Sequence, residues 1–175
     1  MLVAGILAAG AVAGAVVAWR HGNGGGSGGG AQASASGPVQ LHGTTAYDPD
    51  APDHAEHNAQ APLATDGLPG TAWSTSHYRY PNGGLGKQGV GLVLDAGKTV
   101  DLSELGIATD TPGFTAQIRA GDSAGGPFHA VSSSETVSSK TVFTLHDAKA
   151  RYFVVWITKL GGGYDYAHVN EVSAG

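Results

Sequence analysis

Two short stretches of the chain concentrate side chains that recognise ligands. His77-Tyr78-Arg79-Tyr80 sets phenol rings around one guanidinium just ahead of Pro81. Tyr164-Asp165-Tyr166, followed by His168, supplies a second aromatic and polar cluster. Phenol rings offer flat apolar faces to a sugar, and a guanidinium fits a carboxylate. Brought together at one end of a domain, the two stretches make a ligand site. Kept apart, they are solvated loops whose rings cover strand ends. A third cluster holds Asp48, Asp50, Asp53 and Glu56 with His54 and His57. Oxygens at alternating positions suit calcium, and two histidines with a carboxylate suit zinc. The spacing is not that of an EF-hand, however, and Pro49 and Pro52 stiffen the segment, so the plainer expectation is a solvated acidic loop.

Other chemistries lack their residues. The chain has no cysteine, which removes disulfides, thiolate nucleophiles and cysteine metal sites. No Gly-x-Ser-x-Gly elbow and no His-Glu-x-x-His pair occurs. The 14 acidic residues are scattered, and nothing in their spacing singles out a catalytic pair. A net charge of −5 gives no basic footprint for nucleic acid. The expectation is a binding module, not an enzyme.

The elements that must position these loops read as short strands. Val90, Leu92 and Leu94 alternate with Gly91, Val93 and Asp95; Phe114, Ala116 and Ile118 alternate with Thr115, Gln117 and Arg119. Thr141 to Leu145 is a short apolar run of the same kind. Tyr152 to Ile157 is apolar on both faces and predicts a central strand, with Trp156 in the core. Val100 to Ala108 and Val169 to Val172 are further candidates. Breakers lie between, at Pro81-Asn82-Gly83-Gly84, Ala96-Gly97-Lys98, Thr111-Pro112-Gly113, Gly125-Gly126-Pro127 and Gly161-Gly162-Gly163. No amphipathic helix of useful length stands out. The pattern predicts an all-β jelly-roll sandwich over 38–175.

Ahead of it lie two segments of other composition. Leu2 to Trp19 carries no charged side chain, and as a helix it would cover most of a bilayer core of about 30 Å. Residues 1–20 therefore predict a single-pass membrane anchor, with Trp19 and Arg20 at the interface. A cleaved signal peptide ending near Val16-Val17-Ala18 is the competing reading, although a basic leader is missing. Gly10 to Gly14 is one small-residue pair, too little to specify dimerisation, and the oligomeric state stays open. Residues 21–37, rich in glycine, serine and alanine, read as a flexible linker. Gly22 to Ser27 only partly imitates a phosphate loop, with no strand before it and no lysine placed after it.

Three motifs resemble the discoidin-like, or galactose-binding-like, domain family. Ala64-Thr65-Asp66-Gly67-Leu68-Pro69-Gly70-Thr71-Ala72-Trp73-Ser74-Thr75 is similar to its early Asp-Gly and Trp-Ser signature. Gly89 to Gly97 is similar to its central Leu-Asp strand, and Val169-Asn170-Glu171-Val172 to its closing strand. Tyr47-Asp48-Pro49, Thr111-Pro112-Gly113-Phe114 and Val155-Trp156-Ile157-Thr158 look like the extracytoplasmic C-terminal domains of actinobacterial serine/threonine protein kinases and MviN-like membrane proteins. The kinase motifs themselves are absent from this sequence. The resemblance implies a membrane-anchored sensor for a cell-envelope glycan, which could be half of a split receptor kinase; a domain that docks an envelope protein is the alternative. It implies that Trp73 is structural. It also implies a structural calcium held by Asp66, Leu68 through its carbonyl, Thr71 and Glu171. Leu68 stands where the family often has an acidic or amide residue, and the alternative is that Asp66 only caps its own turn.

Overall fold

The computed structural model describes residues 39–52, 56–161 and 163–175. Alternation of apolar and polar side chains forms strands here because successive side chains leave a strand on opposite faces. Eleven strands result among the described residues: β1 His42–Tyr47, β2 Trp73–Ser74, β3 Val90–Asp101, β4 Glu104–Ala108, β5 Thr115–Gly121, β6 His129–Ala130, β7 Glu135–Thr136, β8 Lys140–Thr144, β9 Lys149–Lys159, β10 His168–Val169 and β11 Glu171–Ala174. The described helical segments are two 3₁₀ stretches, Asn58–Thr65 and Pro81–Gly83. None is long and apolar enough to cross a membrane. The expected anchor at 1–20 and linker at 21–37 fall outside the described residues, as do Asp53 and His54.

The larger sheet runs β1-β3-β9-β5-β6, with β7 also paired to β5, and its strands pair antiparallel among the described residues. The smaller sheet runs β11-β4-β8, and β10 pairs β2. The main core fills the space between the sheets. Leu92, Leu94, Ile118, Phe153 and Val155 come from the larger sheet, and Leu105, Ile107 and Phe143 from the smaller. Each large apolar side chain removed from water this way contributes roughly 1.5–3 kcal/mol. The jelly-roll sandwich read from the strand pattern is the observed architecture.

Position in the sheet explains the doubly apolar run. β9 lies between β3 and β5. Its Phe153, Val155 and Ile157 enter the main core, whereas Val154 and Trp156 join Val93 in a second cluster on the outer face. Tyr47, Phe128 and Tyr152 pack over that cluster, and the Arg119 guanidinium lies 4.5 Å from the Trp156 ring centroid. Trp156 is therefore buried, as expected, but under a lid of side chains instead of between the sheets.

Several boundaries differ from the sequence reading. Ala96-Gly97-Lys98 does not end a strand. β3 runs through it on a bulge, with the register against β9 shifting between Asp95 and Val100. Gly97 takes φ +74°, and its N–H donates to Asp95 Oδ1 at 2.7 Å; the glycine permits the left-handed bend that a bulge needs. Val100 to Ala108 is not one strand but the end of β3 and all of β4. Val169 to Val172 likewise divides between β10 and β11, which belong to different sheets. Val142 in β8 is exposed, because only the alternate Phe143 reaches the core.

Candidate functional site

The two aromatic loops converge. The backbone fixes them first: Tyr78 N–H donates to Asp165 O at 2.6 Å, and Leu160 N–H to Gly83 O at 2.7 Å. Asn82 and Gly83 both have positive φ. A Cβ on Gly83 would stand 2.1 Å from Leu160 O, so the close approach of these chains requires glycine. Side chains then lock the pair. Asp165 accepts from His77 Nδ1 at 2.8 Å and from Arg79 Nε at 3.2 Å. The His77 contact first, and Arg79 after it, hold the Asp165 carboxyl below its ordinary range.

Between the loops lies an open cleft of about 530 Å³. Tyr78, Arg79, Tyr80, Asn82, Lys159, Tyr164 and Asp165 supply its side-chain chemistry. Tyr80 and Tyr164 are among the few exposed large apolar side chains of the domain, at 56% and 38%. An aromatic strip continues from the cleft. His77 and Tyr166 ring centroids are 5.0 Å apart, Tyr164 and Tyr166 5.9 Å, and Tyr166 and His168 4.8 Å. His168 in turn holds Asp110, at 2.8 Å. Of the six ligand-binding residues expected from sequence, Tyr78, Arg79, Tyr80 and Tyr164 line the cleft. His77 braces it through Asp165, and Tyr166 stands on the strip beside it.

Tyr78 differs from its neighbours. Its hydroxyl donates inward to Glu56 Oε1 at 2.7 Å, leaving the ring as its contribution to the cleft. Burial, reinforced by Glu56, pushes the phenol pKa up. Glu56 also accepts from Ser76 N–H at 2.6 Å and Ser76 Oγ at 3.1 Å. The expectation of a solvated acidic loop at 48–57 holds for Asp50 and His57, which are exposed, and is corrected at Asp48 and Glu56. Asp48 and Glu56 are 1% and 3% exposed. The reason is that partners far along the chain satisfy them: Lys87 pairs with Asp48 and lies over the Tyr78 ring, while Ser76 and Tyr78 surround Glu56. Sequence spacing gave no sign of Glu56 or Lys87 as supports of the cleft, because both act across more than twenty residues or from a different loop.

A second oxygen-rich site lies at Asp66 and Glu171. Thr71 Oγ contacts Asp66 Oδ1 and Oδ2 at 3.0 and 2.9 Å, and Leu68 O at 2.8 Å. Asn170 Nδ2 donates to Pro69 O at 3.0 Å, tying this loop to the start of β11. Glu171 Oε1 is buried with no hydrogen-bond partner among the described residues. Burial first, then the Asp66 carboxylate, raise the Glu171 pKa. Two neighbouring carboxylates, one of them with an orphaned oxygen, a hydroxyl and a peptide carbonyl are donors of the kind a calcium ion takes. The four residues named from the resemblance thus lie together. Asp66 also caps its own turn, since Leu68 N–H donates to Oδ1 at 2.9 Å. Among the described residues no three His, Asp or Glu side chains cluster as metal ligands; Asp53 and His54 lie outside them. Trp73, expected to be structural, is fully buried and donates from Nε1 to Glu56 O at 2.8 Å.

No family model matches the chain, and no curated protein matches it. Solved structures do. A chitosan-binding module from a chitosanase/glucanase of Paenibacillus sp. IK-5 superposes with a TM-score of 0.58 at 16% identity, covering 80% of this chain and 99% of that one. The module CpGH89CBM32-5 of Clostridium perfringens, in complex with GalNAc-β-1,3-galactose, gives 0.56 at 15% identity, over 79% and 99%. The family 32 carbohydrate-binding module of Clostridium perfringens NanJ, in complex with galactose, gives 0.53 at 20% identity, over 78% and 96%. At such identities the likeness is one of fold: the domain is a galactose-binding-like jelly roll.

Proposed function

We propose that this domain is a non-catalytic carbohydrate-binding module that holds a cell-envelope glycan in the cleft between its 77–84 and 159–166 segments. The observation that carries the reading is the meeting of two aromatic loops, distant in sequence, around an open cleft of about 530 Å³. Exposed phenol rings at Tyr80 and Tyr164 give stacking faces, and Arg79 and Asp165 give polar ones. Solved modules of the same fold hold galactose-containing sugars, which supports the ligand class. Glycoside cleavage ordinarily needs two carboxylates flanking the bond. The cleft lining has one, Asp165, already engaged by His77 and Arg79.

The rest of the proposal follows the sequence. Residues 1–20 anchor the chain in the membrane, 21–37 form a leash, and the sandwich works outside the cytoplasm, as a sensor that could partner a kinase encoded separately. Calcium at Asp66, Leu68, Thr71 and Glu171 would brace the loop against β11 without touching the glycan.

The test is a glycan array probed with the purified full chain, followed by titration of each hit against Tyr80→Ala and Tyr164→Ala. Binding lost in both variants supports the cleft. Saccharide silence with a stable envelope-protein complex would favour the docking alternative. Anchoring is tested apart from this: the chain should fractionate with membranes and resist carbonate extraction, and recovery in the soluble fraction with a new terminus near Trp19 would mean a cleaved signal.

A further inference from the structure

The charges around the cleft run against those of the protein. The chain carries a net charge of −5, yet the cleft lining holds two cations, Arg79 and Lys159, and one acid, Asp165. That acid is occupied on both oxygens: His77 Nδ1 reaches Oδ1, and Arg79 Nε reaches Oδ2. Arg79 spends its Nε edge on this contact while its side chain stays 84% exposed, which leaves the outer part of the guanidinium toward solvent. Lys159, at the exposed end of β9, enters no ion pair among the described residues. Behind the wall, Glu56 accepts from the Tyr78 hydroxyl and Asp48 pairs with Lys87; Asp110, outside the lining, holds His168.

Neutral sugars present hydroxyl groups, and a protein usually meets them with aromatic faces and hydrogen-bond acceptors as well as donors. Here the one carboxylate of the lining is committed, and the charged groups left open on the wall, Arg79 and Lys159, are cationic; the Asn82 amide and the Tyr80 and Tyr164 hydroxyls stand beside them as neutral polar groups. A guanidinium offers paired N–H groups that match the two oxygens of a carboxylate, and an ammonium adds a mobile positive charge. The exposed phenols Tyr80 and Tyr164 add apolar faces to the same lining. We propose that the cleft selects an acidic saccharide, a glycan bearing a carboxylate that Arg79 and Lys159 receive while Tyr80 and Tyr164 pack on its ring. This rests on the reading of the cleft as a glycan site and adds the class of sugar.

The experiment compares acids with their own neutral derivatives, so that only the charge changes. The purified full chain is titrated with oligogalacturonate, a hyaluronan oligosaccharide and sialyllactose, each beside its methyl ester. At least one acid should bind about tenfold or more tightly than its ester, a difference of about 1.4 kcal/mol. Its affinity should fall as salt rises from about 0.05 to about 0.5 M, because exposed charges are screened. Arg79→Gln combined with Lys159→Gln should erase the preference while the near-ultraviolet dichroism stays unchanged. Acid and ester binding equally, with both lost in Tyr80→Ala, would overturn the charge selection and leave the glycan site standing. No binding by any acid or ester, together with an array on which neutral glycans bind through Tyr80 and Tyr164, would overturn it in the same way. Failure of every saccharide to respond to the tyrosine variants would overturn both readings.

Discussion

Calcium removal is the perturbation with the clearest expected size. In the fold, Glu171 brings a half-buried carboxylate with a buried, unpartnered Oε1 beside Asp66, whose own neighbours include Thr71 Oγ, itself in contact with Leu68 O. A cation there satisfies the orphaned oxygen and cancels the repulsion that raises the Glu171 pKa. An ion at a hundredfold excess over its Kd stabilises the native state by about 2.7 kcal/mol. With an unfolding entropy of about 2.1 cal/mol/K per residue over a sandwich of roughly 140 residues, that is a rise of about 9 °C in Tm. The assay is scanning calorimetry of the protein in EDTA and in millimolar calcium. Glu171→Gln should lose most of the gain. In EDTA it should be at least as stable as the parent, since an amide beside Asp66 donates where a carboxylate repels. The pH dependence has a defined sign. Because the folded pKa of Glu171 lies above the ordinary 4.5, the native state without metal holds its proton longer than the unfolded chain and loses stability as pH rises through that window. Calcium competes with the same proton, so its effect should fade as pH falls through the raised folded pKa. Equal melting temperatures with and without calcium at neutral pH would refute the argument and leave Asp66 as a turn cap, and so would a full calcium gain in Glu171→Gln.

Three other outcomes follow from the packing. Trp156→Ala, emptying the second cluster, should cost roughly 3–5 kcal/mol by denaturant titration, and a loss under about 1 kcal/mol would mean that its lid of side chains collapses into the gap. Glu56→Ala strands Ser76 N–H, Ser76 Oγ and the Tyr78 hydroxyl in a half-buried setting; it should cost about 1–3 kcal/mol and weaken cleft ligands. An unaltered Kd would show that the cleft does not depend on this support. The pin at Asp165 has a depressed folded pKa, so its contribution is present above the ordinary value of 3.8 and is lost as pH falls through the lower folded one. Tyr164 and Tyr166 proton resonances, followed by NMR down an acid titration, should stay native through the ordinary carboxylate range and shift only below it, whereas Asp165→Asn should shift them at neutral pH.

Local pattern alone determined much of this protein. Period-two alternation at Val90–Leu94 and Phe114–Arg119 specifies half-buried strands, because a strand turns every second side chain to the same face. The run Tyr152–Ile157 specifies a strand covered on both sides, and glycine and proline clusters mark most of the turns. The signature residues Asp66, Leu68 and Thr71 are local enough to be grouped by sequence, whereas Glu171 meets Asp66 only in the fold. What tertiary structure decided are the facts that depend on distant partners. A bulge at Gly97 keeps β3 running where the local signal reads as a break, since pairing with β9 up to Asp95 resumes at Val100. Asp48 and Glu56 look like surface carboxylates until Lys87, Ser76 and Tyr78 arrive from other loops to meet them. The sequence shows two aromatic clusters more than eighty residues apart, and their joining into one cleft rests on Asp165, His77, Arg79 and the Gly83–Leu160 contact. A buried charge, a bulge and a cleft are each defined by what stands opposite, and only the folded chain fixes that.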